Sequence, residues 1–146
     1  MKTIILVEDD PEMVKVYGAM LDGEGFDVVV AKDGLIALRM LAAVKPDVVV
    51  LDLMMPKSNG ADVLKYIRST PALQAIPVII LTHAHMTMTS LTQQAEAIGA
   101  DKALLKSSCT PIRLIGVIED LLSGTAVAAD LSKRIAVQAP PRKSQT

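Results

Sequence analysis

Five short apolar runs that do not alternate constrain this chain more than any other feature: Thr3 to Val7, Asp27 to Ala31, Asp47 to Leu51, Pro77 to Leu81 and the weaker Lys102 to Leu105. A strand with one face in water alternates apolar and polar residues, so uninterrupted runs predict strands buried on both faces. Between the runs lie groups with helical spacing. They are Met13, Tyr17, Met20 and Leu21; Leu35, Leu38, Leu41 and Ala42; Val63, Leu64 and Ile67; Leu91, Ala95 and Ile98; and Leu114, Ile115, Ile118, Leu121 and Leu122. Asp10 and Thr110 stand as N-caps before Pro11 and Pro111, and Gly23, Gly99 and Gly124 fall where helices are expected to end. Strict alternation with short links predicts an α/β fold, a five-stranded parallel sheet with five helices on its two faces. The apolar share is 51%, yet Tyr17, Phe26 and Tyr66 are the only aromatics, so aliphatic side chains and methionine must fill the core.

In open sheets of this kind, chemistry collects beyond the carboxyl ends of the strands. The residues there are Glu8, Asp9 and Asp10, then Asp52, Thr82 and Lys106. Taken alone, Glu8-Asp9-Asp10 is an acidic helix start that complements the macrodipole, and Asp52 can be a loop or capping residue. Together they point elsewhere. If the first and third strands are neighbours, Glu8, Asp9 and Asp52 converge, and carboxylates so close repel unless a cation joins them. A few carboxylate oxygens with water retained suit magnesium. Lys106 adds a positive charge on the same rim. An aspartate carboxylate is a competent nucleophile toward phosphorus, a divalent ion and a lysine offset charge on the transferring oxygens, and the Thr82 hydroxyl can donate to a phosphoryl oxygen. These residues suit a site that phosphorylates itself rather than a turnover enzyme.

The segments ILVEDDP (5–11), VVVLDLMMPKSNG (48–60), PVIILT (77–82) and GADKALLKS (99–107) resemble, in order and spacing, the conserved blocks of the response-regulator receiver family. The resemblance covers residues 2 to about 123. It implies a flavodoxin-like, doubly wound sheet of strand order 2-1-3-4-5, with Asp52 as phosphoacceptor. Asp9 would be a direct magnesium ligand, Glu8 a ligand acting largely through water, and the backbone carbonyl of Met54 a further ligand. Thr82 and Lys106 would contact the phosphoryl group. The donor would be a histidine kinase or phosphotransfer protein, and the output a switch in binding to a protein partner. Three departures stand out. Lys106 is followed by Ser107 where the family usually has a proline with a cis peptide, Ala103 replaces a frequent aromatic, and the stretch from Thr82 to Lys106 is about two residues longer, with HAHMTMT in its loop. By the same resemblance Met54 and Ala84 flank the path of a hydrolytic water, and neither can orient it.

Other functions fit less well. A net charge of −1 and scarce aromatics argue against direct nucleic-acid binding. The first strand runs into EDDP where a glycine-rich loop would serve a nucleotide or flavin, and a phosphatase of the haloacid-dehalogenase kind would want an acid at the position of Met54. The opening MKTIILVEDD turns acidic where a signal peptide would continue, and no run is long enough to span a membrane, so the expected location is cytoplasmic. His83 and His85 read as exposed loop residues rather than metal ligands, and Cys109 as a packing or surface residue, although a helix start can lower a thiol's pKa. Met13, Met20 and Met40 read as core filling. Residues 1–123 are expected to form the receiver. Residues 124–146 read as a basic tail or linker, with Val127, Leu131 and Ile135 spaced for a short helix. The alternatives are a receiver fragment of a larger regulator and a scaffold of the same fold that takes no phosphate. A homodimer is left open, and the sequence names neither kinase nor output protein.

Overall fold

Neighbouring residues on each central strand pack to opposite faces, which is why the apolar runs are uninterrupted. On β1 (Thr3–Val7), Ile5 and Val7 join one core while Ile4 and Leu6 join another. On β3 (Val48–Asp52) the split is Val49 and Leu51 against Val48 and Val50. The computed structural model describes residues 1–55, 58–82, 93, 97 and 99–135, and for Met54, Ser58, Asn59, Thr82 and residues 125–135 the backbone alone. The other strands are β2 (Asp27–Ala31), β4 (Met54–Met55), β5 (Ser58–Asn59), β6 (Val78–Thr82) and β7 (Lys102–Leu105). Five of them form one sheet in the order β2-β1-β3-β6-β7, with every pairing parallel. This is the expected order 2-1-3-4-5. The antiparallel β4–β5 ribbon, with Met54 opposite Asn59, was not foreseen.

Helices α2 (Gly34–Ala43) and α3 (Gly60–Ser69) cover the first face, through Ala37 and Leu41 and through Val63, Leu64 and Ile67. Helices α1 (Pro11–Gly23) and α4 (Pro111–Ile135) cover the second, through Tyr17 and Leu21 and through Leu114, Ile115 and Ile118. Each fully buried Leu or Ile contributes roughly 1.5–3 kcal/mol. Asp10 caps α1 by accepting from the Glu12 amide, and the Thr110 hydroxyl accepts from the Arg113 amide at the start of α4. The group Leu91, Ala95 and Ile98, read as the fourth of five helices, lies outside the described residues, as do His83 and His85. Among the described residues no helix is long and apolar enough to cross a membrane.

Three local expectations are corrected. Helix α2 turns Leu35 outward, 58% exposed, because the Asp33 cap starts the helix at Gly34, whose buried face runs through Gly34, Ala37 and Leu41. Met20 is 37% exposed, since Tyr17 and Leu21 already fill the inner face of α1. Gly124 does not end the last helix, which runs on to Ile135; nothing lies within 4 Å of a Cβ placed there. An internal glycine weakens a helix by about 1 kcal/mol, too little to stop it alone.

The end of the sheet remote from the acidic residues is joined by Arg68. Its Nε donates to the Gly99 carbonyl at 2.7 Å, one terminal nitrogen to Gln74 and Ile76 carbonyls at 3.0 and 2.7 Å, and the other to Asp101 Oδ2 at 2.9 Å. Asp101 Oδ2 also accepts from the Val78 amide at 2.8 Å, so α3, β6 and the entry to β7 meet in one network. Gly99 has φ +93, and a Cβ there would lie 3.2 Å from Arg68 Cγ. Removing this guanidinium strands several carbonyls. Arg68→Ala should therefore lower unfolding stability by about 2 kcal/mol in urea titrations. A loss under about 0.5 kcal/mol, the usual range for a surface substitution, would show that water replaces the guanidinium.

Candidate functional site

Parallel registration brings the acidic residues to one edge. Val7 pairs with Leu51 and Asp52 with Leu81, so Glu8, one residue past β1, and Asp52, the last residue of β3, lie side by side. The Glu8 amide continues the sheet by donating to the Ala31 carbonyl at 3.0 Å. Glu8 and Asp52 are 1% and 2% exposed, whereas Asp9 is exposed at the rim. One oxygen from each of Glu8, Asp9 and Asp52 fits within 4.8 Å of the others, so the three can hold a metal ion.

Lys106 enters from the opposite side, one residue past β7. Its Nζ lies 2.9 Å from Asp52 Oδ2 and 2.6 Å from Glu8 Oε1, with all three side chains almost wholly buried. The second contact is off the line of a well-formed hydrogen bond, and Glu8 Oε1 is left without a properly directed donor. The other oxygen, Oε2, accepts from the Asp10 amide at 3.1 Å. Three carboxylates facing one ammonium leave negative charge that a divalent cation, or a water bound to one, can offset. The donor set, all carboxylate, suits a hard divalent ion.

The ionisation of the cluster follows from one lysine serving two acids. Burial pushes the Glu8 pKa up, only partly offset by the ion pair with Lys106 and the hydrogen bond from the Asp10 amide, and the negative charge of Asp52 adds to the rise. Burial alone would depress Lys106, but its close pairing with Glu8 and Asp52 and their negative charges more than reverse this. The lysine is therefore held cationic while Glu8 remains poorly compensated. Burial raises the Cys109 thiol, so the lowering that a helix start can give does not prevail and Cys109 is a packing residue.

The backbone of Thr82 pairs with Leu105, next to Lys106, which puts it at the same edge; its side chain is outside the described set. The backbone of Met54 lies in β4, two residues after Asp52. Gly60 also shapes the site. A Cβ there would stand 2.5 Å from the Asp52 carbonyl oxygen and 2.8 Å from Leu53 Cα, so only glycine lets α3 start against the end of β3. The sequence held Gly60 in plain view, but without the contact its purpose could not be assigned. The peptide after Lys106 is trans, since no cis bond occurs among the described residues.

A doubly wound sheet with an acid–lysine cluster at its carboxyl edge defines a receiver-type domain. The chain belongs to the response regulator receiver domain family, which matches residues 4–119. Transcriptional regulatory protein CpxR of Klebsiella pneumoniae is 48% identical over 82 residues, covering 56% of this chain and 34% of that protein. The chain spans about a third of the length of the curated relatives it matches. Among solved structures, the receiver domain of the Francisella response regulator 1452 superposes with a TM-score of 0.76 at 28% identity, covering 86% of this chain and 99% of that one. The Mn(2+)-bound form of response regulator Rcp1 gives 0.68 at 27% identity, covering 82% and 91%.

The Glu8 shift has a definite sign. Because the folded pKa lies above the ordinary value, the folded state holds the proton more tightly, and the Glu8 contribution to stability is fully present below about pH 4 and lost as pH rises through the folded pKa. In chelator at pH 7, Glu8→Gln should raise the urea midpoint above that of wild type, and the difference should vanish below pH 4. A variant less stable than wild type at pH 7 would show that Glu8 is a net stabilising partner of Lys106.

Proposed function

We propose that Asp52 accepts a phosphoryl group from a phosphohistidine of a histidine kinase or phosphotransfer protein, in a pocket that requires magnesium. The observation that carries this reading is the shared ammonium: Lys106 pairs with two buried carboxylates at once, beside the exposed Asp9, so one cation faces three acids. Asp9, Glu8, Asp52 and the Met54 carbonyl would hold the ion, with Glu8 reached largely through water. When bound, magnesium would offset charge on the phosphoryl oxygens. An Asp52 carboxylate oxygen attacks phosphorus; the new O–P bond forms as the donor's N–P bond breaks, and the electron pair returns to the donor imidazole. Lys106 then exchanges its contact with Asp52 for one with a phosphoryl oxygen, and the Thr82 hydroxyl donates to another. The manganese-bound relative supports the choice of a divalent ion.

In this reading residues 1–123 are the receiver, and residues 124–146 a basic tail or linker, helical at its start as a continuation of α4. The protein is a cytoplasmic phosphoacceptor rather than a turnover enzyme, and its output is altered binding to a protein partner. The short coverage of the longer relatives favours a second reading, in which the same receiver is one part of a larger regulator.

Incubation with acetyl phosphate and magnesium, read by intact mass, tests the reading. Wild type should gain one phosphoryl group and Asp52→Asn none, with the fold unchanged by circular dichroism; labelling of the variant at the wild-type rate would exclude Asp52. Asp9→Asn should weaken magnesium binding at least about tenfold, since loss of even an outer-shell partner costs roughly 10- to 100-fold. Unchanged affinity would reduce Asp9 to a helix-start residue.

Lifetime is a separate matter. Met54→Asn should speed hydrolysis of the phosphorylated form without altering its formation, since an amide can orient the attacking water. His83→Ala and His85→Ala controls belong in the same time course. Equal lifetimes for wild type and Met54→Asn would show that this position does not control hydrolysis.

A further inference from the structure

Lys106 sits on a turn that its own hydrogen bonds hold weakly. The 3-10 turn Lys106–Ser108 has no side-chain cap; its closing bond, from the Cys109 amide to the Lys106 carbonyl, is 3.4 Å long, and the Ser108 hydroxyl reaches the Leu105 carbonyl at 3.5 Å. Both lie at the limit of hydrogen-bond geometry. Ser107 gives the turn none of the stiffness of a proline. The strong restraint comes from another element. Tyr17, 2% exposed in the middle of α1, donates its hydroxyl to the Cys109 carbonyl at 2.8 Å. Its ring packs in the same core as Leu104, Cys109 and Leu114, which flank the turn on both sides. Burial pushes the phenol up to about 12, with Cys109 and Glu8 adding to the rise, so the hydroxyl stays a donor at any physiological pH.

We propose that Tyr17 is a positioning residue for Lys106. The phenol pins the far end of the turn to α1, the helix that follows Glu8 and Asp9, and thereby fixes where the ammonium meets the acidic cluster. The inference rests on the reading of Asp52 as phosphoacceptor, because it assigns the consequence of a misplaced Lys106 to phosphoryl transfer. A free turn lets the ammonium wander, and the transferring oxygens lose a preplaced charge. The phenol's hydrogen bond goes to the Cys109 carbonyl and not to Glu8 or Asp52.

Tyr17→Phe keeps the ring and removes only the hydroxyl. At saturating magnesium it should slow labelling by acetyl phosphate about tenfold, the scale of one well-placed hydrogen bond, while magnesium affinity stays near wild type. In a Lys106→Ala background the same change should have no further effect, which a merely structural tyrosine would not show. The side-chain ammonium of Lys106, followed by nitrogen-resolved NMR in chelator, should give a protected signal in wild type that broadens or disappears in Tyr17→Phe. That signal is independent of phosphorylation: if wild type takes up no phosphoryl group, the phosphoacceptor reading falls and the ammonium alone decides the positioning of Lys106. An unchanged ammonium signal, wild-type labelling by Tyr17→Phe, or an equal loss with and without Lys106 would each overturn the proposal. Should Tyr17→Phe melt below the assay temperature, amide exchange of residues 107–109 in wild type decides instead. Protection as slow as in the α4 core supports a pinned turn, and exchange as fast as in an open loop refutes it.

Discussion

One ammonium shared between two buried carboxylates is the interaction on which the site depends. Lys106 arrives after the last strand, Glu8 after the first and Asp52 at the end of the third, so the contact exists only when β1, β3, β6 and β7 are paired in register. In a medium of low polarisability, Glu8 beside Asp52 without that ammonium would be strongly repulsive. The apolar sheet does not select this charge; it tolerates it at the edge where each strand ends. The arrangement is also incomplete, since a lysine cannot fully satisfy two acids together with the exposed Asp9 beside them. What remains is negative charge facing the rim, held in place by a rigid sheet.

The fold was legible in the sequence wherever burial imposes a repeat. Strands covered on both faces must be apolar throughout, and those runs fall within one residue of β1, β2, β3, β6 and β7. Their order is another matter: alternation alone gives a parallel sheet, and the order 2-1-3-4-5 came from resemblance. Helix phase was read less well. Leucine spacing put Leu35 inside, but the packed face of α2 uses Gly34 and Ala37, whose small side chains let the helix lie close to the sheet. A search for large apolar residues passes over such a face. The same preference for size put Met20 in the core.

The acidic residues and the lysine could be picked out because each follows an apolar run. Who holds whom could not. Tyr17 and Cys109 are separated by 92 residues, Asp52 and Lys106 by 54, and neither pair leaves a local pattern. Arg68, a charge in the last turn of α3, gathers carbonyls from segments on either side of β6. Gly60 was visible as a residue but not as a constraint. Its meaning lies in the space it leaves empty, and a sequence does not display empty space.

The two ends of the sheet therefore differ in kind. At the remote end Arg68 and Asp101 neutralise each other and satisfy backbone groups of α3, β6 and β7, so that end resists sliding between strands. At the carboxyl edge, burial and charge are in tension. A displacement of Asp52 cannot be taken up along β3, whose residues are fully packed between two cores. Asp52 also touches other elements at that edge. One neighbour is Gly60, where the backbones leave no room for even a methyl group, so the first turn of α3 is held tight against Asp52. Another is Lys106, and behind it the turn that Tyr17 ties to α1. The packed strands and the remote clamp are rigid, and the start of α3 and the Lys106 turn are described parts in direct contact with Asp52.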